Sequence, residues 1–297
     1  MKLTANKLVV IVGPTASGKT ALAESLASVF AGEIVNADSR QMYKELTLGT
    51  AKPDYATSFV PYHLFDIVGP DQEFSVAEYK KLALVAIDAI TKRGKLPFLV
   101  GGSGLYIQAV VDNLDLPQVP AQKELRAMLE QKSEEELLDM LKERDLTASQ
   151  MIDSQNKRRL VRALEVIMTT GKPFSEQLTR GPKLFDTLQI TLNIPREQLF
   201  QNIEERAQKM IDQELEQEVK MLVKTYGWNN LLSSTIGYKE WQGFFEGEKT
   251  LGQVKEEIIQ NTKALVKKQY TWFLKQKRIH WVKNREEAQE LIEKFLH

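Results

Sequence analysis

Eight residues near the amino end have the types and spacing needed to hold a chain of phosphates. Gly13, Pro14, Thr15, Ala16, Ser17, Gly18, Lys19 and Thr20 fit the pattern G-x-x-x-x-G-K-S/T. They follow an apolar, β-branched run from Lys7 to Val12 and precede a stretch in which Leu22, Leu26, Val29 and Phe30 fall at helical spacing. A Gly-rich turn between a strand and a helix start offers successive backbone N–H groups to an anion, with the helix N-terminus behind them. Lys19 adds a point charge, and the Thr20 hydroxyl can bind Mg²⁺. Such a loop recognises phosphates and not a nucleoside, so a diphosphate ester satisfies it as well as ATP does.

The acid that usually accompanies this loop is displaced. In ATPases an acidic residue at the end of an apolar strand helps to hold the metal, but here the apolar run from Leu96 to Val100 leads into Gly101 and Gly102. ATP hydrolysis is therefore disfavoured. The acid comes instead after a second strand predicted at Glu33 to Asn36, in Asp38-Ser39-Arg40-Gln41. In a doubly wound sheet the carboxyl ends of adjacent strands share one crevice, which puts Asp38 near the phosphate loop. Its residue type fits two roles equally, a general base or a helix N-cap.

The elements around these residues alternate strand and helix, with a helix predicted around Glu78 to Arg93 and a third strand at Leu96 to Val100. That order implies an α/β fold with a parallel sheet, the architecture of the phosphate-loop NTPases. After Pro117 the chain turns polar and helical, and residues 117–183 read as an all-helical insertion domain between the two parts of the core, 1–116 and 184–297. Leu188, Ile190, Leu192 and Ile194 alternate with polar residues and read as a half-exposed strand returning to the sheet. Amphipathic patterns from Glu197 to Lys224 and from Val254 to Lys277 predict long helices.

A chain of 297 residues with 42% apolar content can bury one substantial core with room for an inserted subdomain. It has no Cys and 3 His, which excludes disulfides, a thiolate nucleophile and Cys-ligated zinc, and leaves oxygen as the main ligand for any metal. No apolar run approaches the roughly 18 residues of a membrane span, and the amino end leads into the phosphate loop and not into a cleavage site. A cytoplasmic protein is expected, and a monomer, because no face is obviously apolar and unclaimed.

The 40 basic and 40 acidic residues cancel, which argues against indiscriminate coating of nucleic acid. Their distribution is uneven. From Lys263 to Arg285 the chain carries Lys263, Lys267, Lys268, Lys275, Lys277, Arg278, Lys283 and Arg285 without one acidic residue, and with Tyr270, Trp272, Phe273 and Trp281 interleaved. This is either a face that binds a polyanion or a solvated helix face whose aromatics belong to the core.

Taken with Gly49-Thr50-Ala51-Lys52-Pro53, His63-Leu64-Phe65-Asp66, Val100-Gly101-Gly102-Ser103-Gly104-Leu105-Tyr106 and Ile236-Gly237-Tyr238-Lys239-Glu240, the two motifs above resemble the tRNA dimethylallyltransferases in order, spacing and number. The resemblance runs from Leu8 to about Trp281. It implies transfer of a five-carbon group from dimethylallyl diphosphate to the exocyclic amine of the adenosine 3′ of the anticodon, in tRNAs reading codons that begin with U. It implies Mg²⁺ as cofactor, the phosphate loop as the diphosphate site, Thr20 as metal ligand and Asp38 as the base. Ser39, Arg40, Gln41, Ser103 and Arg126 match positions that meet the tRNA anticodon stem-loop. So do the stretches Arg158, Arg159, Leu160, Val161, Arg162 and Lys263, Lys267, Lys268, where the basic composition agrees independently. Some relatives have an Arg three residues before the Gly-Tyr pair, where this chain has Ser234; if that Arg helps catalysis in them, Lys239 or another basic residue would have to substitute here. Two other readings compete: prenyl transfer to free AMP, which needs neither the helical insert nor the basic stretch, and a small-molecule kinase of the phosphate-loop type.

Overall fold

The computed structural model describes residues 6–117 and 119–297. The first part of the chain alternates strand and helix: β1 (Lys7–Val12), α1 (Lys19–Val29), β2 (Gly32–Asn36), the two-residue β3 (Tyr62–His63), α2 (Val76–Lys92), β4 (Leu96–Gly101) and α3 (Gly104–Val111). A helical stretch follows: β5 (Leu114–Asp115), α4 (Lys123–Glu130), α5 (Glu134–Arg144), α6 (Leu146–Met151), α7 (Lys157–Thr170), α8 (Phe174–Gln177) and β6 (Thr179–Arg180). The last part holds β7 (Asp186–Leu192), α9 (Arg196–Asp212), α10 (Leu215–Tyr226), α11 (Gln242–Phe245), α12 (Leu251–Leu274), β8 (Ile279–Val282) and α13 (Arg285–Leu296).

Six strands form one parallel sheet in the order β3-β2-β4-β1-β7-β8. Leu8 to Val12 are all fully buried, as a β-branched strand between two neighbours should be. On one face Val9, Ile11, Ile34, Phe98 and Ile190 pack with Leu22 and Leu26 of α1 and Ile292 of α13. Because the strands run parallel, the ends of β1, β2 and β4 open on the same side. β4 lies between β2 and β1, so the phosphate loop after β1 and Asp38 after β2 flank its end.

Two expectations about single elements change. The strand predicted as half-exposed, β7, lies between β1 and β8, and Leu188, Gln189, Ile190 and Thr191 are all buried. The polar members of the alternation face a covered side, where the Gln189 amide nitrogen and Thr191 hydroxyl have no partner among the described residues. The helix predicted from Glu197 to Lys224 is two helices, because Glu214 adopts a left-handed φ of 62° that no α-helix continues. β3, β8 and α13 lacked a clear signal; β3 is two residues long, and β8 sits inside the basic stretch.

The chain divides into two compact units, Met1–Ile107 with Leu184–His297, and Gln108–Lys183. The second begins within α3, ahead of Pro117, because the short antiparallel pair of β5 with β6 closes the helical unit on itself. Its core is built from Leu129, Leu137, Leu141, Leu160 and Leu164. Among the described residues no helix is long and apolar enough to cross a membrane.

Candidate active site

The phosphate loop divides its residues between two tasks. Gly18, Lys19 and Thr20 open α1, whose first-turn N–H groups face no preceding helical carbonyl and are available to an anion. Pro14 has no N–H, and its carbonyl accepts from the Ser17 amide and from Lys19 Nζ, each at 3.4 Å. The Ser17 hydroxyl is buried, has no partner among the described residues, and would lie 2.9 Å from a Cβ placed on Gly13. Thr15 and Ala16 are gripped from outside. The Thr15 amide donates to Gln269 Oε1 at 2.9 Å, the Thr15 hydroxyl accepts from Arg206 Nη1 at 2.6 Å, and the Ala16 carbonyl accepts from Asn202 Nδ2 at 3.0 Å.

Asp38 stands at the end of β2 on a turn fixed by Asn36. The Asn36 side chain accepts from the Asp38 amide at 2.9 Å and donates to the Leu64 carbonyl at 3.1 Å, while the Asn36 carbonyl accepts from the buried Tyr79 hydroxyl at 3.0 Å. One Asp38 carboxylate oxygen accepts from the Arg40 amide at 2.9 Å. This is an Asx turn, since no helix starts here, and among the described residues it leaves the other oxygen without a hydrogen-bond partner. The strand end beneath requires a glycine: a Cβ on Gly101 would lie 2.2 Å from the Ala37 carbonyl oxygen and 2.8 Å from Ala37 Cα.

Lys19, Asp38 and Arg206 share one field. The dense surroundings of the Lys19 ammonium lower its pKa to about 8, with Asp38 opposing the shift and Arg206 adding to it. Burial also lowers the pKa of Arg206, again against Asp38. Arg206 was not anticipated from the sequence. It lies on α9 in an ordinary amphipathic pattern, and only the packing of α9 against the loop brings its guanidinium to Thr15. At Ser234, where the resemblance led us to look for a substitute cation, the hydroxyl accepts from Arg40 Nη2 at 3.3 Å.

Between Lys19 and Asp38 lies a crevice. Lys19, Thr20, Asp38 and Gln41 form its polar side, and Ile34, Val100, Tyr62 and Phe65 its apolar side. Burial, with Glu24 nearby, pushes the Tyr62 hydroxyl up to about 12, so the ring stays neutral at any working pH. The Tyr62 and Phe65 rings meet edge to face with centroids 5.5 Å apart. An anion cradle, a carboxylate and an apolar wall around one cavity suit a diphosphate whose organic part is hydrocarbon.

Comparison with known proteins agrees with this geometry. The family model described as IPP transferase matches residues 41–277, and that described as isopentenyl transferase matches residues 6–58. The chain is 44% identical over 272 residues to a tRNA dimethylallyltransferase of Roseiflexus sp. (strain RS-1), covering 90% of this chain and 89% of that one. It is 42% identical over 278 residues to one of Anoxybacillus flavithermus, covering 93% and 89%. Among solved structures, the tRNA isopentenylpyrophosphate transferase of Bacillus halodurans superposes with a TM-score of 0.73 at 34% identity, covering 98% of this chain and 97% of that one. The chain belongs to the tRNA dimethylallyltransferase family.

The positions expected from that family to meet tRNA fall into distinct groups. Ser39, Arg40 and Gln41 line the rim beside Asp38. The Ser103 hydroxyl oxygen accepts from the Ser39 amide at 3.0 Å and so holds this rim, and the Gln41 amide nitrogen donates to the Thr50 and Ala51 carbonyls at 3.1 Å each. In the helical unit Arg158 and Arg159 are exposed on the first turn of α7. Leu160 and Val161 correct the expectation, because both are buried in the unit's core and anchor the helix. Arg126 and Arg162 converge on Glu165, which is fully buried. Arg126 Nε and Nη2 donate to it at 2.8 and 3.1 Å, Arg162 Nη1 at 2.6 Å and the Gln122 amide at 2.7 Å. Burial disfavours the Glu165 charge, but these donors outweigh it and hold the carboxyl below its ordinary value. The one sequence signal for this clamp is a Glu within the apolar stripe of α7. On α12, Lys267 and Lys268 are exposed, whereas Lys263 pairs with Glu204 at 2.8 Å and lies over the Phe200 ring. The aromatics interleaved with these lysines are divided: Phe273 is core, and Tyr270 packs against Trp281.

Proposed function

We propose that the protein transfers the dimethylallyl group of dimethylallyl diphosphate to the exocyclic amine of the adenosine 3′-adjacent to the anticodon, in tRNAs reading codons that begin with U, with release of diphosphate. One observation carries this reading: a carboxylate, one of whose oxygens has no hydrogen-bond partner among the described residues, shares a crevice with a phosphate loop and apolar side chains, while the strand end that bears an acid in ATPases is Gly101-Gly102.

The adenine amine is a weak nucleophile because its lone pair is delocalised into the ring. As nitrogen bonds to C1 of the dimethylallyl group, the C1–O bond breaks and its electron pair leaves with the diphosphate. The amine proton goes to the free oxygen of Asp38. The first-turn amides of α1, Lys19 and Arg206 meet the charge that grows on the departing diphosphate. Ile34, Val100, Tyr62 and Phe65 receive the hydrocarbon and keep water from the reacting carbon. Among the described residues no three His, Cys, Asp or Glu gather as a metal cage; Thr20, through its hydroxyl, is the residue that would help to hold Mg²⁺. When bound it neutralises charge on the leaving group. Arg158 and Arg159, with Lys267 and Lys268, are the exposed cations that suit the stem-loop phosphates.

Incubation with labelled dimethylallyl diphosphate, Mg²⁺ and one of three acceptors tests this reading: an anticodon stem-loop, AMP, or ATP with a small-molecule acceptor. Label on the stem-loop alone is expected. Label on AMP without label on the stem-loop, or phosphoryl transfer from ATP, contradicts it.

A further inference from the structure

The phosphate loop is held on its outer side by the two long C-terminal helices. Asn202 and Arg206 of α9 bind Ala16 and Thr15, and Gln269 of α12 binds Thr15. The helices are themselves joined, by Lys263 to Glu204 at 2.8 Å and by Lys255 to Gln208 at 2.9 Å. Gln269 does more than hold the loop. Its Oε1 accepts from the Thr15 amide at 2.9 Å while its Nε2 donates to the Gly102 carbonyl at 3.0 Å. Each partner can play only one part, so the orientation of the side-chain amide is fixed by chemistry.

The glycines of the turn after β4 are shaped to this helix. A Cβ on Gly102 would come within 2.6 Å of Gln269 Nε2, and one on Gly104 within 2.6 Å of the Trp272 ring, one turn further along α12. Between those glycines Ser103 holds the Ser39 amide, next to Asp38. One planar amide thus ties α12 to the phosphate loop and, through residues 102–103, to the turn that carries the proposed base. The residues immediately before it on α12 are the exposed Lys267 and Lys268.

We propose that Gln269 is a positioning residue that couples polyanion binding on α12 to the phosphate loop, so that a stem-loop seated on Lys267 and Lys268 tightens the hold on diphosphate. The inference rests on the proposed function. A hydrogen bond weakens steeply with distance and angle, and a rigid amide serving two loops keeps both bonds only while α12 holds one position. A ligand that orders α12 therefore orders the loop through Gln269, and the second ligand no longer meets that cost.

The test is the dissociation constant of inorganic diphosphate with Mg²⁺, without and with a saturating unmodified anticodon stem-loop, for the wild type and for Gln269→Met, an apolar side chain of similar length. The stem-loop should tighten diphosphate binding by about five-fold or more in the wild type, with a ratio near one in the variant and stem-loop affinity within about two-fold. Gly102→Ala gives a second route. Its new methyl displaces the Gln269 amide without altering that residue, and it should also bring the ratio near one. A residue that only stabilises the fold would lower the melting temperature and leave the ratio as it was. A wild type that binds both ligands independently, or either variant with an undiminished ratio, overturns the inference. A wild type that binds no stem-loop instead removes the proposed function on which it stands.

Discussion

At the residue scale the site depends on charges held close together at the mouth of the sheet. Lys19 sits against the loop it serves, with Arg206 and Asp38 acting on it from opposite signs, and its pKa is lowered to about 8. The ammonium is charged below that value and neutral above it, so the loop loses a unit of positive charge as pH rises through it. kcat/KM for dimethylallyl diphosphate reports the free enzyme, and it should decline above pH about 8. Lys19→Arg, whose guanidinium stays charged, should remove that inflection whatever its effect on the rate; an unchanged inflection would show that another group titrates there. Gly101 supports the same site through space alone. Gly101→Ala places its methyl within 2.2 Å of backbone at Ala37, which cannot rotate away as a side-chain tip can. We expect kcat to fall by about ten-fold or more, since roughly 1 Å of misplacement can cost that much, while stem-loop affinity stays near the wild-type value.

At the scale of elements, α12 and α7 present basic residues for different purposes. Of the three expected contacts on α12, Lys263 pairs with Glu204, while Lys267 and Lys268 have no carboxylate partner among the described residues. Lys267→Gln with Lys268→Gln should reduce the slope of log K for the stem-loop against log salt by about one for each lysine lost, whereas Lys263→Gln should change it less because Glu204 already pairs with it. Fluorescence anisotropy across a salt series reads this directly. Equal slopes for the double variant and the wild type would make that part of α12 an ordinary solvated face. Inside the helical unit Arg126 of α4 and Arg162 of α7 neutralise Glu165 of α7. Replacing both by Ala leaves a buried carboxylate without a cation, a loss on the order of 3–5 kcal/mol that hydrogen exchange over residues 123–170 should register as local opening. Because the folded carboxyl lies below its ordinary value, the clamp's contribution is complete above the usual carboxylate range and is lost as pH falls through the depressed value. Acid should therefore open the wild-type helical unit as the double variant is opened at neutral pH.

For the whole molecule, what could be read from the sequence follows the range over which each signal acts. The phosphate loop, β1 and α1 are local patterns, and they were legible because strand period and helix period are written within a few residues. The parallel sense of the sheet and the placing of Asp38 on the side of the loop followed from one rule about parallel strands, whereas the insertion of β4 between β1 and β2 was not read. Arg206, Gln269 and Asn202 were not legible. Each lies on an amphipathic helix far along the chain, and its role exists only once α9 and α12 pack on the loop. Gln189 and Thr191 misled for a related reason, since alternation marks a two-faced strand but does not reveal that both faces are covered. Another distant contact holds the same unit together: Glu218 of α10 accepts from the Leu48 amide at 2.8 Å and from the Tyr238 hydroxyl at 2.5 Å, joining the Gly49-Thr50-Ala51 and Gly237-Tyr238 segments.

The proposed function turns on one arrangement, a carboxylate sharing a crevice with the phosphate loop. The most direct test is single-turnover transfer of labelled dimethylallyl to an anticodon stem-loop by the wild type and by Asp38→Asn, which keeps size and the acceptor for the Arg40 amide but not the base. The account predicts a loss of roughly 10²–10⁴ in the transfer rate, with diphosphate and stem-loop still binding near their wild-type affinities. A variant that transfers at the wild-type rate once saturated with both substrates would contradict it.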